Sequence, residues 1–241
     1  MKITITGDLM EGVFINRINR FLAEISIDGV IHHAHVPNTG RMKEFLIPGA
    51  KVILRKIIQE HRKTIFDLLM AYDHETLINI DSKLPNSLLE KAFKEKVFPL
   101  FENYGTVKRE VRFGSSRFDF VLSGNESFAF IEAKCVTYVD EKHTASFPDA
   151  PTERGRKHVM ELVEVVKEGM RGVVIFVIQR EDAHRFTPNT TRDPFFSKAM
   201  KEAHAAGVEF YAITCKLTPQ DITLNKLVPI IYDLDETGKL L

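Results

Sequence analysis

Carboxylates are depleted inside β-strands, yet two neighbouring strand-like runs of this chain each carry one. Asp119 lies in the apolar run 117–122 and Glu132 in the run 128–136. The segment between them, Ser123 to Ser127, has the composition of a hairpin turn. Pairing Leu122 with Ala129 sets Asp119 opposite Glu132. Directly opposed residues hold their Cβ atoms about 4.5–5.5 Å apart. Two carboxylates that close repel each other unless a proton or a cation intervenes. Lys134 follows Glu132 by two residues, so strand alternation puts it on the same face. The chain must therefore build a sheet whose interior tolerates two acids and a lysine.

That cluster suits metal-assisted hydrolysis of a phosphodiester. Magnesium takes oxygen ligands octahedrally at about 2.0–2.1 Å and keeps several waters. Asp119, Glu132 and the backbone carbonyl of Ala133 are the expected ligands, for Mg2+ or for Mn2+ in its place. Lys134 is expected to orient or activate the attacking water or to offset charge on the phosphate. A fourth acid lies upstream. Asn86 is expected to cap a helix from Ser87 to about Phe98, ended by Pro99. Leu88, Leu89, Ala92, Phe93 and Val97 form its apolar stripe, with Glu90 at the edge. Glu90 is expected either to join the site or to be an ordinary solvated helix carboxylate.

After residue 86 the periodicity predicts a helix, a strand at 107–113, the two acid-bearing strands, a helix at 152–168, a strand at 172–178, a helix at 194–206 and a strand at 208–214. A helix glutamate, a strand aspartate and Glu-x-Lys on the next strand, in this order of elements, resemble the PD-(D/E)XK nuclease superfamily. Longer strings are more specific: His35 to Met42, Arg117 to Phe120, Phe147 to His158, and Val177 to Ala183 followed by Phe186-Thr-Pro188. Together they resemble the sugar fermentation stimulation protein A family over nearly the whole chain, from about Gly12 to Ile222. The resemblance implies an α+β protein: an N-terminal OB-like β-barrel (1–81) and a C-terminal PD-(D/E)XK nuclease-like α/β domain with a mixed central sheet (82–241). It also implies DNA binding, with RNA as an alternative partner, and a role in regulating sugar (maltose) use. Two functions follow as expectations: a Mg-dependent nuclease, or a non-catalytic DNA-binding regulator that keeps the nuclease scaffold.

Charge narrows the partners. The 33 Lys and Arg balance 33 Asp and Glu, which excludes indiscriminate coating of nucleic acid, since that needs many neutralised phosphates. A nucleic-acid site must be a local basic patch. One candidate is the loop Pro37 to Gly40 running into Arg41 and Lys43, read as a short helical turn capped by Asn38 or Thr39. A barrel-closing turn is the plainer alternative. The other candidate is Arg154, Lys157 and His158, on one face of the 152–168 helix by their spacing; a solvated face is its alternative. The two cysteines, Cys135 and Cys215, lie in strand-like runs and are expected to be buried thiols. No apolar stretch approaches the roughly 18 residues of a membrane span, so the protein is expected to be soluble, cytoplasmic and without a membrane partner.

Overall fold

A computed structural model of the chain describes residues 2–124 and 126–232; Asn125 of the expected hairpin turn lies outside them. The N-terminal strands are Ile3–Thr4 (β1), Asp8–Asn19 (β2), Leu22–Ile27 (β3), Val30–His35 (β4), Lys51–Lys56 (β5), Phe66–Asp73 (β6) and Thr76–Asn79 (β7). Strands β2 to β7 form one sheet in the order β4-β3-β2-β5-β6-β7. A parallel pairing of Ala34 with Phe66 and of His35 with Asp67 closes β4 onto β6. The cycle β2-β3-β4-β6-β5 is thus a closed five-stranded barrel, the OB arrangement. Phe14, Ile25, Val36, Leu54, Leu68 and Ile78 fill it. Its longest strand, β2, escapes a search for alternation because its register against β3 slips twice, between Phe14 and Asn16 and between Arg17 and Asn19.

The remaining elements are Leu84–Lys94 (α1), Thr106–Phe113 (β8), Ser116–Gly124 (β9), Ser127–Val136 (β10), Thr144–Phe147 (β11), Glu153–Lys167 (α2), Arg171–Ile178 (β12), Arg185–Pro188 (β13), Pro194–Ala205 (α3), Glu209–Leu217 (β14) and Asp221–Val228 (β15). They build a seven-stranded sheet in the order β1-β15-β14-β12-β10-β9-β8. Strands β8, β9 and β10 run antiparallel, and β10, β12 and β14 run parallel. The central strand β12 is buried from Gly172 to Ile178, as a parallel strand covered on both faces should be. Residues 3–4 pair with Ile222 and Asp221 of β15, so the chain's start lies with this sheet and not with the barrel.

Two cores flank the sheet. Leu88, Leu89, Ala92 and Phe93 of α1 pack with Phe120, Ile131, Val173 and Ile175 on one face. On the other, Val159, Leu162 and Val163 of α2 and Phe196 and Met200 of α3 pack with Phe118, Phe130, Val174 and Phe176. Thr152 caps α2, its Oγ1 accepting from Gly155 N at 3.0 Å, and Asp193 caps α3, accepting from Phe196 N at 2.9 Å.

Helix α1 differs from expectation. It begins at Leu84, with Pro85 in its first turn, where a missing N–H costs nothing. Asn86 is therefore inside the helix and caps nothing. Lys96 takes a φ of 53°, which turns Val97 outward to 48 % exposure while Phe98 and Phe101 seal the core beyond it. The stretch 137–151 contains the four-residue strand β11, paired in parallel with β13; so short an element leaves no periodic trace. Cys215 is a buried free thiol, as expected, but Cys135 is only half-buried; desolvation still pushes the Cys135 thiol up to about 12, with Asp81 and Asp149 adding to it.

Candidate active site

The acid-bearing strands pair in the register the sequence predicts, Leu122 with Ala129, Val121 with Phe130 and Phe120 with Ile131, and there the ladder stops. Phe118 and Val121 pack into one core while Phe120 and Leu122 pack into the other. Two residues three apart on one face mean that alternation slips between them, at Asp119. Its neighbour across β8, Glu110, carries a φ of 55°. Asp119 is consequently not a ladder partner of Glu132, which corrects the simple pairing. Its Oδ2 accepts from the backbone N–H of Ala133 at 2.8 Å, and its Oδ1 accepts from Asn86 Nδ2 at 2.7 Å. The side chain thus takes the place of a strand carbonyl and docks beside the residue that follows Glu132.

Glu132 is 4 % exposed. Its Oε1 accepts from Lys134 Nζ at 2.6 Å and from His158 Nδ1 at 2.6 Å. Its Oε2 is buried with no hydrogen-bond partner among the described residues. Such an orphan costs about 1–3 kcal/mol, more for a charged group. Burial raises the pKa of Asp119, and the charge of Glu132 raises it further, against the hydrogen bonds from Ala133 and Asn86. Burial pushes Glu132 up as well, but the His158 hydrogen bond and the Lys134 charge outweigh it and hold that carboxyl below its ordinary range. The site therefore holds one carboxyl kept below its ordinary range, one pushed above it and one unsatisfied oxygen, an arrangement that a cation would relieve.

The donor set fits a hard divalent ion. Among the described residues no three His, Cys, Asp or Glu side chains come together as a metal cage. Two carboxylates beside a backbone carbonyl are oxygen donors of the kind that a hard divalent ion takes while it keeps much of its water. Asp119→Asn tests the electrostatics. The amide can still accept from Ala133 N while Asn86 turns its own oxygen inward, and the repulsion with Glu132 disappears. The metal-free variant should melt about 2–4 °C higher than wild type at neutral pH, roughly what ~1 kcal/mol is worth in a chain of this size. A carboxyl whose pKa rises on folding contributes fully below its unfolded value and loses that contribution as pH rises through the folded value. The gain should therefore vanish in acid. A lower Tm at neutral pH would refute this account.

Glu90 is turned elsewhere. Its Oε1 accepts from Lys94 Nζ at 2.6 Å and its Oε2 from Arg109 Nη1 at 3.0 Å, and the Lys94 hydrogen bond lowers its pKa. The α1 side chain that meets Asp119 is Asn86, one turn earlier on the same face, and the four-residue spacing was the available clue. His158 parts from Arg154 and Lys157. Those two are exposed, with Lys157 Nζ reaching Ser115 O at 3.4 Å, whereas His158 sits beside Val159 on the buried side of α2 and is bound to Glu132. The Arg41 loop forms no helix. Met42 adopts a φ of 50°, and Gly40 N donates to Asn38 Oδ1 at 2.8 Å instead. Arg41 N donates to Asp149 Oδ2 at 2.9 Å. Arg41 and Lys43 are both exposed on this loop.

Comparison with known proteins agrees with the fold. Residues 15–80 match the family model described as the SfsA N-terminal OB domain, and residues 83–221 match that described as the sugar fermentation stimulation protein RE domain. A sugar fermentation stimulation protein homolog of Alkaliphilus metalliredigens is 53 % identical over 226 residues, covering 93 % of this chain and 97 % of its own. One of Caldanaerobacter subterraneus is 44 % identical over 227 residues, covering 94 % and 99 %. The structure of Pyrococcus furiosus SfsA in complex with Ca2+ superposes with a TM-score of 0.85 at 31 % identity, covering 95 % of this chain and 99 % of the other. With an OB barrel followed by a mixed sheet, and with both family models matched in that order, the chain belongs to the sugar fermentation stimulation protein family.

Proposed function

We propose that the chain is a nucleic-acid-binding protein with a metal-dependent phosphodiesterase site, the barrel strands β2 to β7 gripping the substrate that the rest of the chain cleaves. The observation that carries this reading is the buried, unpartnered Oε2 of Glu132 beside an Asp119 whose pKa is raised. Asp119, Glu132 and the Ala133 carbonyl would hold Mg2+, or Mn2+ in its stead. When bound, such an ion polarises a phosphoryl oxygen and acidifies water. His158 and Lys134 fix the Glu132 rotamer from two sides. Lys134 Nζ, 13 % exposed, has donors left to orient the attacking water or to meet charge gathering on the phosphate. Asn86 and the Ala133 amide hold Asp119. Glu90 lies one turn along α1 from Asn86 and would act only at a distance, through the Arg109 and Lys94 it holds. Arg41, Lys43, Arg154 and Lys157 supply phosphate contacts, and His158 acts inward. The Ca2+ in the Pyrococcus furiosus relative supports use of a divalent ion. No helix among the described residues is long and apolar enough to cross a membrane, and DNA, with RNA as the alternative, is a cytoplasmic partner.

A second reading is favoured by one observation: Glu132 Oε1 is already paired with the Lys134 ammonium and hydrogen-bonded by the His158 ring. In that reading the protein is a non-catalytic DNA-binding regulator of sugar (maltose) use on a nuclease scaffold. The deciding experiment is cleavage of labelled single- and double-stranded DNA and RNA with Mg2+, Mn2+ or no metal, beside Asp119→Ala. The nuclease reading expects metal-dependent cleavage that Asp119→Ala abolishes. Absence of cleavage with every substrate and metal would leave the regulator.

A further inference from the structure

The two longest family strings, far apart in sequence, meet in space. The barrel loop Asn38 to Arg41 is stitched from beneath by Arg17, whose Nη1 donates to Gly40 O at 2.5 Å and to Arg41 O at 3.0 Å, and whose Nη2 donates to Asn38 O at 2.6 Å and to Arg20 O at 2.7 Å. This one guanidinium therefore fixes the tip of the β2–β3 hairpin against the loop. Across the domain boundary the loop is clasped by the Arg41 N to Asp149 Oδ2 bond. Gly40 lies so flush that an added Cβ would come within 3.0 Å of Asp149 Oδ2, an approach a larger side chain would disturb. Beside the clasp is a cleft of about 560 Å³ whose lining includes Arg20, Thr39 and Arg41 from the barrel and Ala133, Lys134 and Thr152 from the nuclease-like half. The candidate catalytic strand thus forms one wall of an interdomain cleft, and the barrel forms the other.

The chemistry of the barrel wall points to its occupant. Arg41 is exposed, and only its backbone N–H, not its guanidinium, makes a hydrogen bond as donor among the described residues. Arg20 is exposed too, and its guanidinium meets no carboxylate among the described residues; it lies 5.9 Å from the ring centroid of Phe21. Phe21 itself is 51 % exposed at the hairpin tip, an aromatic ring left in water beside a free cation. Unpartnered arginines next to an open aromatic face are the means by which proteins hold phosphates and stack unpaired bases. A cleft of this volume admits on the order of one or two nucleotides, and a duplex keeps its bases sealed in the stack. We infer that the cleft takes an unpaired strand of nucleic acid, with Phe21 stacking a base at the entrance and Arg20 and Arg41 gripping phosphates on the way to Lys134. This deepens the proposed phosphodiesterase reading by naming its substrate class, and it rests on that reading.

The test is fluorescence anisotropy of the full chain in EDTA, where cleavage plays no part, with labelled oligothymidylate, oligouridylate and a duplex of equal length. An unpaired strand, of either sugar, should bind at least about tenfold tighter than the duplex. Phe21→Ala should weaken that binding about 5- to 100-fold. Arg20→Ala/Arg41→Ala should lower the slope of log affinity against log salt by about 1.4, two contacts at roughly 0.7 each for a single strand. Thermal melting of each variant at the wild-type Tm shows that the fold is intact, as expected for exposed side chains. Equal or tighter duplex binding, or an unchanged salt slope in the double variant, would overturn the inference. Metal-dependent cleavage without strand preference would sink the cleft assignment alone. Single-strand binding lost in the variants, but no cleavage with any metal, would sink the catalytic reading and leave the cleft.

Discussion

Lys134→Ala should lower metal-dependent cleavage by roughly 10²–10⁴-fold, the usual worth of a positioned proton-transfer group, and leave nucleic-acid affinity within about twofold, because one cation among several phosphate contacts adds little. The side chain is 13 % exposed and points at Glu132 Oε1, 2.6 Å away, so its work is done at the acids and not along a binding groove. Glu132→Gln should differ in kind. Its amide keeps the shape but sets an N–H among the donors of Lys134 and His158, or leaves them a single oxygen, and it lacks the charge to hold a divalent ion. Both metal binding and cleavage should be lost, while affinity for nucleic acid without metal should rise as carboxylate–phosphate repulsion falls. Cleavage and gel-shift assays run in parallel on wild type and both variants decide this. If all three proteins cleave alike, the activity belongs to other residues or to a contaminant.

The strand elements of the candidate site were legible because their signal is local. The apolar runs around Asp119 and Glu132 and the short turn between them set the hairpin, and its register follows from the turn length, as the pairing of Leu122 with Ala129 bears out. What local pattern cannot carry is a break in alternation. The slip at Asp119 lies opposite a left-handed Glu110 in the neighbouring strand β8, and it turns a supposed cross-strand pair into a carboxylate seated on a backbone amide. Helix spacing misled in the same manner. Residues 154, 157 and 158 are neighbours on α2, yet Arg154 and Lys157 remain in water while His158 is drawn in by a buried carboxylate on β10, a contact 26 residues away in sequence. Glu90 fell to stronger local partners, Lys94 and Arg109. Asn86 has the composition of a helix cap, but proline suits a first turn, so the helix starts before it at Leu84 with Pro85 in that turn. The barrel came from the resemblance, and its longest strand, β2, carries two register slips that hide its alternation. The contact between the loops at Gly40 and Asp149 is purely tertiary.

The junction between the halves is where the largest loss of stability should come. Asn79 N donates to Gln179 O at 3.0 Å and Asn79 Nδ2 to Gln179 Oε1 at 2.7 Å, both residues being buried. Beside them Arg180, 5 % exposed at the end of β12, donates to both oxygens of Asp182 at 2.6 and 2.7 Å and to Asp73 Oδ2 of the barrel at 3.0 Å. Removing one member of a buried ion pair costs about 3–5 kcal/mol because its partners stay behind uncompensated. Here the aspartates retain some contact with water, and about 2–3 kcal/mol is the fitting figure for Arg180→Ala. That corresponds to a Tm lower by roughly 4–12 °C for a chain of this size. Arg180→Lys should recover only part of it, since an ammonium cannot bridge both oxygens of Asp182 and also reach Asp73. The pH dependence has a definite sign. Although burial pushes it up, Asp182 titrates below its ordinary value because the Arg180 hydrogen bonds and charge prevail. A depressed carboxyl contributes fully above its unfolded pKa, about 3.9, and loses that contribution as pH falls through the folded value. The Tm gap between wild type and Arg180→Ala should therefore be full at pH 6–7 and narrow below about pH 4. A variant that melts within about 1 °C of wild type at neutral pH, or a lysine variant equal to wild type, would mean that the halves are held together by the Asn79–Gln179 contact and the cores alone.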